Sequence, residues 1–122
     1  MGGLIPFSDF APYTATKYAV VGLSESLHEQ LKPRNIGVSV ICPGLVDTQL
    51  LKSDMDLKAE QKTEAEEIDS YMPAELSRVL SPDDVAKLAI SDMFSDKLFI
   101  ITHKEWLGAV EARHNLIKEH FQ

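Results

Sequence analysis

Cysteine, basic charge and long apolar runs are all scarce in this chain, and each shortage excludes something. Among 122 residues there is one cysteine, Cys42, so no internal disulfide can form and no thiolate metal site is expected. Lys plus Arg number 12 against 19 Asp plus Glu, a formal charge of −7. A chain this acidic repels phosphate, so neither nucleic acid nor an anionic membrane surface is expected as a partner. No stretch nears the roughly 18 uninterrupted apolar residues of a membrane span. The opening Met-Gly-Gly-Leu-Ile-Pro lacks a basic segment leading into an apolar run, so no signal peptide is expected. The expected setting is soluble, reducing and cytoplasmic. What remains is ordinary: 44% hydrophobic and 25% charged residues, a balance that excludes wholesale disorder. The length allows one domain or less.

Residues 1–12 hold Gly2, Gly3, Pro6 and Pro12 without periodicity and read as loop. From Tyr13 to Leu31 the pattern is helical, with Ala19, Val20, Leu23, Leu27 and Leu31 on one arc and Tyr18, Glu25 and Glu29 opposite. Pro33 stops that helix. Gly37–Cys42 is a β-branched run closed by Pro43-Gly44, a short strand. Glu60, Glu64, Glu66, Glu67 and Asp69 mark an acidic helical stretch with thin apolar support from Leu57 and Ile68, a solvated helix or a flap. Ser81-Pro82-Asp83-Asp84 is a helix start: a capping hydroxyl, a proline suited to the first position, and two carboxylates at the positive end of the dipole. The helix should reach about Phe94 and bury Val85, Leu88, Ala89 and Met93. Leu98–Ile101 reads as a second apolar strand. Thr102 and Glu105 fit a capping box for a last helix, with Trp106, Val110, Ile117 and Phe121 near one face.

Strands alternating with helices predict an α/β fold with a parallel sheet. Strands apolar throughout predict helices on both faces. Two strands alone rarely form an independently stable sheet, so the sheet is expected to have neighbours beyond this chain; a third strand within residues 1–8 is the alternative.

Tyr13 and Lys17 lie four residues apart, hence on one helix face, one turn apart. Free tyrosine ionises near pH ~10. A neighbouring ammonium favours the phenolate, and so does the first turn of a helix. A tyrosine so placed can give a proton to a carbonyl or take one from an alcohol. The spacing by itself is common, and its context narrows it. Tyr13-Thr14-Ala15-Thr16-Lys17 follows Pro12 and precedes Tyr18-Ala19-Val20-Val21-Gly22, and a strand then ends in Cys42-Pro43-Gly44-Leu45-Val46-Asp47-Thr48.

In this order and spacing the sequence resembles the short-chain dehydrogenase/reductase family, most specifically over residues 12–48. The resemblance implies an NAD(P)-dependent oxidoreductase that moves hydride between nicotinamide and a carbonyl or secondary alcohol of a small molecule. It implies that Tyr13 is the catalytic acid/base and that Lys17 supports it and binds the nicotinamide ribose. Pro43 and Gly44 would turn the chain beside the nicotinamide. The Val46 backbone would meet the carboxamide, and Thr48 the pyrophosphate.

The resemblance also implies that residues 1–122 are the C-terminal half of one Rossmann-like, doubly wound domain. The N-terminal strands and Gly-rich loop are missing, with no residue to choose NAD or NADP. The family's serine about a dozen residues before the tyrosine has no counterpart, and Ser8 stands too close. Residues 49–80 would cover the substrate, where Leu50, Leu51, Met55 and Met72 suggest a lipophilic ligand. The chain alone is expected to be inactive. The alternative is a non-enzymatic relative acting as an interaction module, since family members commonly form homo-oligomers through the helix that here spans 13–31. The four histidines lack ligand spacing, so no metal site is expected and surface or rim positions are (His114 and His120 would point to different sides). Cys42 and Trp106 read as packing residues.

Overall fold

The computed structural model describes residues 1–7, 10–49 and 78–121. Its longest element is helix α1, Ala11–Leu31. Pro12 lies in its first turn, where its missing N–H would have had no helical partner. After Leu31 the chain tightens into a 3-10 turn, Lys32–Arg34, and Asn35 ends it in the left-handed region at φ 56°. Strand β1, Val40–Cys42, then leads to the Pro43-Gly44 corner and β2, Leu45–Val46. Farther along the chain come β3, Val79–Leu80, and helix α2, Pro82–Met93. Strand β4, Phe99–Ile101, passes through a 3-10 turn, Lys104–Trp106, into helix α3, Leu107–Lys118.

The strands pair in parallel, as an α/β fold requires. In one pair Val40 faces Phe99, Ile41 faces Ile100 and Cys42 faces Ile101. In the other Leu45 faces Val79 and Val46 faces Leu80. Sequence reading anticipated β1 and β4 and missed β2 and β3, which are only two residues long. Among the described residues the segment 1–7 holds turns and no strand, so the alternative of a strand there does not stand.

Ser81 caps α2 as expected: its hydroxyl accepts from the Asp84 N–H at 3.1 Å. The capping box expected before α3 does not form. The Thr102 hydroxyl instead lies 2.7 Å from His103 Nδ1.

The core gathers Met1, Ile5, Val21, Val40, Cys42 and Trp106, with Phe7, Phe99, Ile101 and Val110 packed around them. Phe7 meets the Trp106 indole edge-on at 6.0 Å between ring centres. Each such apolar side chain, fully buried, stabilises by about 1.5–3 kcal/mol. Cys42 and Trp106 thus take the packing roles expected of them.

Helix α1 turns inward a face that overlaps the expected one only at Leu27 and Leu31, both half-buried. Val21 is buried and Tyr18 half-buried, while Val20 and Leu23 stand 51% and 61% exposed. The cause is the segment 1–5, which lies directly on α1. A β-carbon on Gly3 would sit 2.5 Å from Val21 Cγ2 and 2.7 Å from the Lys17 carbonyl oxygen. Only glycine permits that approach, and the approach selects the Val21 side.

Three further burial expectations hold only in part. Ile100 is fully buried where α2 packs on β4, but its neighbour Ile41 on β1 is half exposed. On α2 only Ala89 is buried, with Val85 half-buried and Leu88 and Met93 exposed. Around α3, Trp106 is buried and Val110 half-buried as expected, while Ile117 and, in the turn after the helix, Phe121 are exposed.

Candidate functional site

Tyr13 is the third residue of α1, inside the first turn, where unpaired N–H groups favour negative charge. Lys17 follows one turn later and sets its ammonium 5.1 Å from the centre of the Tyr13 ring. Both are exposed, Tyr13 by 48%. The first turn is tied to the preceding segment by the Phe7 N–H, which donates to the Thr14 hydroxyl at 3.3 Å.

The pair and the Pro43-Gly44 corner flank one dipeptide. A β-carbon on Gly2 would lie 3.2 Å from Tyr13 Cε1 and 3.7 Å from Lys17 Cγ. One residue earlier, the Met1 amino group donates to the Pro43 carbonyl. Burial holds that amine below its ordinary range, opposed by Cys42 and reinforced by the charge of Lys17. Tyr13, Lys17 and Pro43 are therefore assembled around Met1-Gly2. Gly44 follows at the corner. Val46 continues into β2, paired with Leu80, and Thr48 lies exposed two residues on.

Parallel register accounts for the other side of the corner. Cys42 is opposite Ile101, so the next residues, Pro43-Gly44 and Thr102-His103, leave adjacent strand ends together. The Gly44 N–H donates to His103 Nδ1 at 2.9 Å. His103 Nε2 lies 3.2 Å from the Arg78 carbonyl oxygen, just before β3. The ring is fully buried. This corrects the expectation that the histidines sit on the surface or rim. It holds for His114 and His120, which are exposed, but not for His103. Sequence reading missed this residue because it weighed histidines by metal-ligand spacing. The available signal was position: a polar pair directly after an apolar strand, at the strand end where parallel sheets gather their polar chemistry.

The proposed substrate cover, residues 49–80, lies mostly outside the described residues, as do the acidic stretch and Leu50, Leu51, Met55 and Met72. Among the described residues no helix is long and apolar enough to cross a membrane.

Parallel strands alternating with helices define an α/β protein, a class whose ligands bind outside the carboxyl ends of the strands. The chain belongs to the short-chain dehydrogenase/reductase family of oxidoreductases. The family model, short chain dehydrogenase, matches residues 1–59. A short-chain dehydrogenase of Penicillium roqueforti is 32% identical over 103 residues, covering 81% of this chain and 34% of that protein. Dehydrogenase/reductase SDR family member 4 of Sus scrofa is 30% identical over 102 residues, covering 84% and 34%. An inactive 2-(S)-hydroxypropyl-CoM dehydrogenase 2 of Xanthobacter autotrophicus is 29% identical over 101 residues, covering 82% and 43%. The chain thus spans 34% of the length of the first two of these relatives. The family generally uses NAD(P) and acts on small molecules.

Proposed function

We infer that residues 1–122 carry the proton-transfer side of an NAD(P)-dependent short-chain oxidoreductase acting in the cytoplasm on a small carbonyl compound or secondary alcohol. The observation that carries this reading is the Tyr13–Lys17 pair in the first turn of α1, with the ammonium 5.1 Å from the ring centre and Met1-Gly2 joining it to the corner. Tyr13 would donate its phenolic proton to the carbonyl oxygen, or accept one from the alcohol. Lys17 would stabilise the negative charge that develops on the phenol oxygen.

A half-exposed phenol and an exposed ammonium on one helix turn suit the hydroxyls of a nicotinamide ribose, so the residues present fit that end of the cofactor. When bound, the nicotinamide supplies or accepts the hydride. Pro43 and Gly44 would border it, with the Val46 backbone toward the carboxamide and Thr48 toward the pyrophosphate. The adenine end is another matter. The six glycines, at 2, 3, 22, 37, 44 and 108, contain no G-x-G-x-x-G loop. On this reading residues 1–122 belong to the C-terminal half of a Rossmann-like domain.

The test is a chimera in which residues 1–122 replace the matching third of the Sus scrofa relative, assayed with that relative's own substrate. Turnover should appear and should fall at least about 100-fold in Tyr13→Phe, the low end of general acid–base catalysis. Unchanged turnover in Tyr13→Phe would defeat the reading. The isolated chain should show no appreciable dehydrogenase activity and no tight, saturable binding when NADH or NADPH fluorescence is titrated.

A second reading has its own observation. Val20 and Leu23 stand 51% and 61% exposed on the outward face of α1. On this reading the chain is a non-enzymatic module that pairs with a second copy through that helix. Sedimentation of the wild type and Leu23→Glu decides it: a dimer dissociated by the charge supports pairing, and a monomer in both excludes it.

A further inference from the structure

We propose that His103 is a positioning residue, a clamp that fixes the Pro43-Gly44 corner and the start of β2 from beneath. This rests on the oxidoreductase reading above only for what the corner is used for. The hydrogen bonds define the ring's state. A backbone N–H can only donate, so Nδ1 is the acceptor for Gly44 at 2.9 Å. The Thr102 hydroxyl also lies 2.7 Å from that nitrogen. Nε2 then carries the proton and donates to the Arg78 carbonyl at 3.2 Å. One neutral ring therefore joins the end of β1, the approach to β3 and the end of β4.

Its packing is equally restrictive. A β-carbon on Gly44 would lie 2.7 Å from His103 Cγ and 2.8 Å from Cδ2, so the corner rests directly on the ring. Trp106 crowds the same place, with its Nε1 3.1 Å from that point. The ring cannot turn without breaking its bonds to Gly44 and Arg78 together. An apolar residue of similar size would fill the volume and take the imidazole partner from the part-buried Gly44 N–H and Arg78 carbonyl. Gly44 leads straight into β2, and β3 follows Arg78 directly, so the two backbone atoms held by the ring are the two entrances of the Leu45–Val46/Val79–Leu80 pair. That pair carries Val46 and leads to Thr48.

The experiment compares the wild-type chain with His103→Asn and His103→Leu by NMR. Asparagine places an amide oxygen where Nδ1 stands and can keep the bond to Gly44; leucine cannot. Three results are expected. Long-range nitrogen–proton spectra of the wild type should show the Nε2–H tautomer. Hydrogen exchange at the Gly44 amide should quicken about tenfold in His103→Leu, the change expected from losing one hydrogen bond, and stay near wild type in His103→Asn. Nicotinamide mononucleotide should shift the Gly44, Val46 and Thr48 amides in the wild type and in His103→Asn but not in His103→Leu.

An Nδ1–H tautomer, or Gly44 exchange that is the same in all three proteins, overturns the clamp. So does loss of the nucleotide response in both variants alike, because the ring would then act as filler. If Gly44 exchange follows the expected pattern but the nucleotide moves no amide in the wild type, the clamp stands and the cofactor reading falls. Should His103→Leu fail to fold by circular dichroism, the wild-type tautomer and the Asn variant decide.

Discussion

Two places carry the polar groups of the candidate site, and they are built in opposite ways. At the Gly44–His103 junction every recognised polar atom of the imidazole has a partner, and the ring is sealed from solvent. At the Tyr13–Lys17 turn the side chains are exposed and meet through a charge over a ring face. The first arrangement maintains a backbone shape; the second leaves reactive groups accessible. The difference teaches where substitutions should hurt stability and where they should hurt only chemistry. Packing density sets the cost of a lost or added atom in the junction, and solvent absorbs such changes at the turn.

The contrast can be broken most severely at Trp106. Truncation to alanine should cost about 3–5 kcal/mol, the range for a large buried aromatic, read as a fall in the denaturation midpoint. Gly44→Ala should cost about 1–3 kcal/mol through overpacking, since its new methyl meets His103 and Trp106. Gly22→Ala sharpens the same point from the other side. Nothing lies within 4 Å of a β-carbon there, in the middle of α1. That substitution should raise stability by about 0.5–1 kcal/mol through helix propensity. Tyr13→Phe should leave stability within about 0.5 kcal/mol of wild type, whatever it does to turnover.

The mildest effect concerns Cys42. Burial pushes its thiol above the ordinary value of 9.0, opposed by the charged chain terminus. As pH rises past 9.0 the unfolded chain gives up this proton before the folded one does. The contribution to stability is therefore complete below pH 9.0 and declines as pH climbs through the raised folded value. Denaturant midpoints measured from neutral to alkaline pH should drift downward, and Cys42→Ala should remove that part of the drift. A thiol reagent should label Cys42 slowly in the native chain and quickly once it unfolds.

Local signals proved readable where one stretch of chain sufficed. The Ser81-Pro82-Asp83-Asp84 start became the cap of α2, and the apolar runs before Pro43 and before Thr102 became the paired β1 and β4. The Tyr13–Lys17 spacing became a ring–ammonium contact because i and i+4 share a helix face in any context. Failures began where two distant stretches had to meet. Strands β2 and β3 are too short to carry a period, and only their pairing makes them strands. The inward face of α1 depended on where Gly3 could approach, and the burial of His103 on the register between β1 and β4.

Local sequence alone set the start of α2, the stop of α1 ahead of Pro33, the two apolar strands and the phenol–ammonium pair, all of which follow from steric and hydrogen-bonding rules acting within a few residues. Tertiary structure alone decided which side of α1 is buried, that the Thr102 hydroxyl serves His103 instead of a helix cap, and that a histidine seals the corner at Gly44. Those outcomes depend on close packing between segments as many as 59 residues apart, as between Gly44 and His103. No local pattern encodes such a distance.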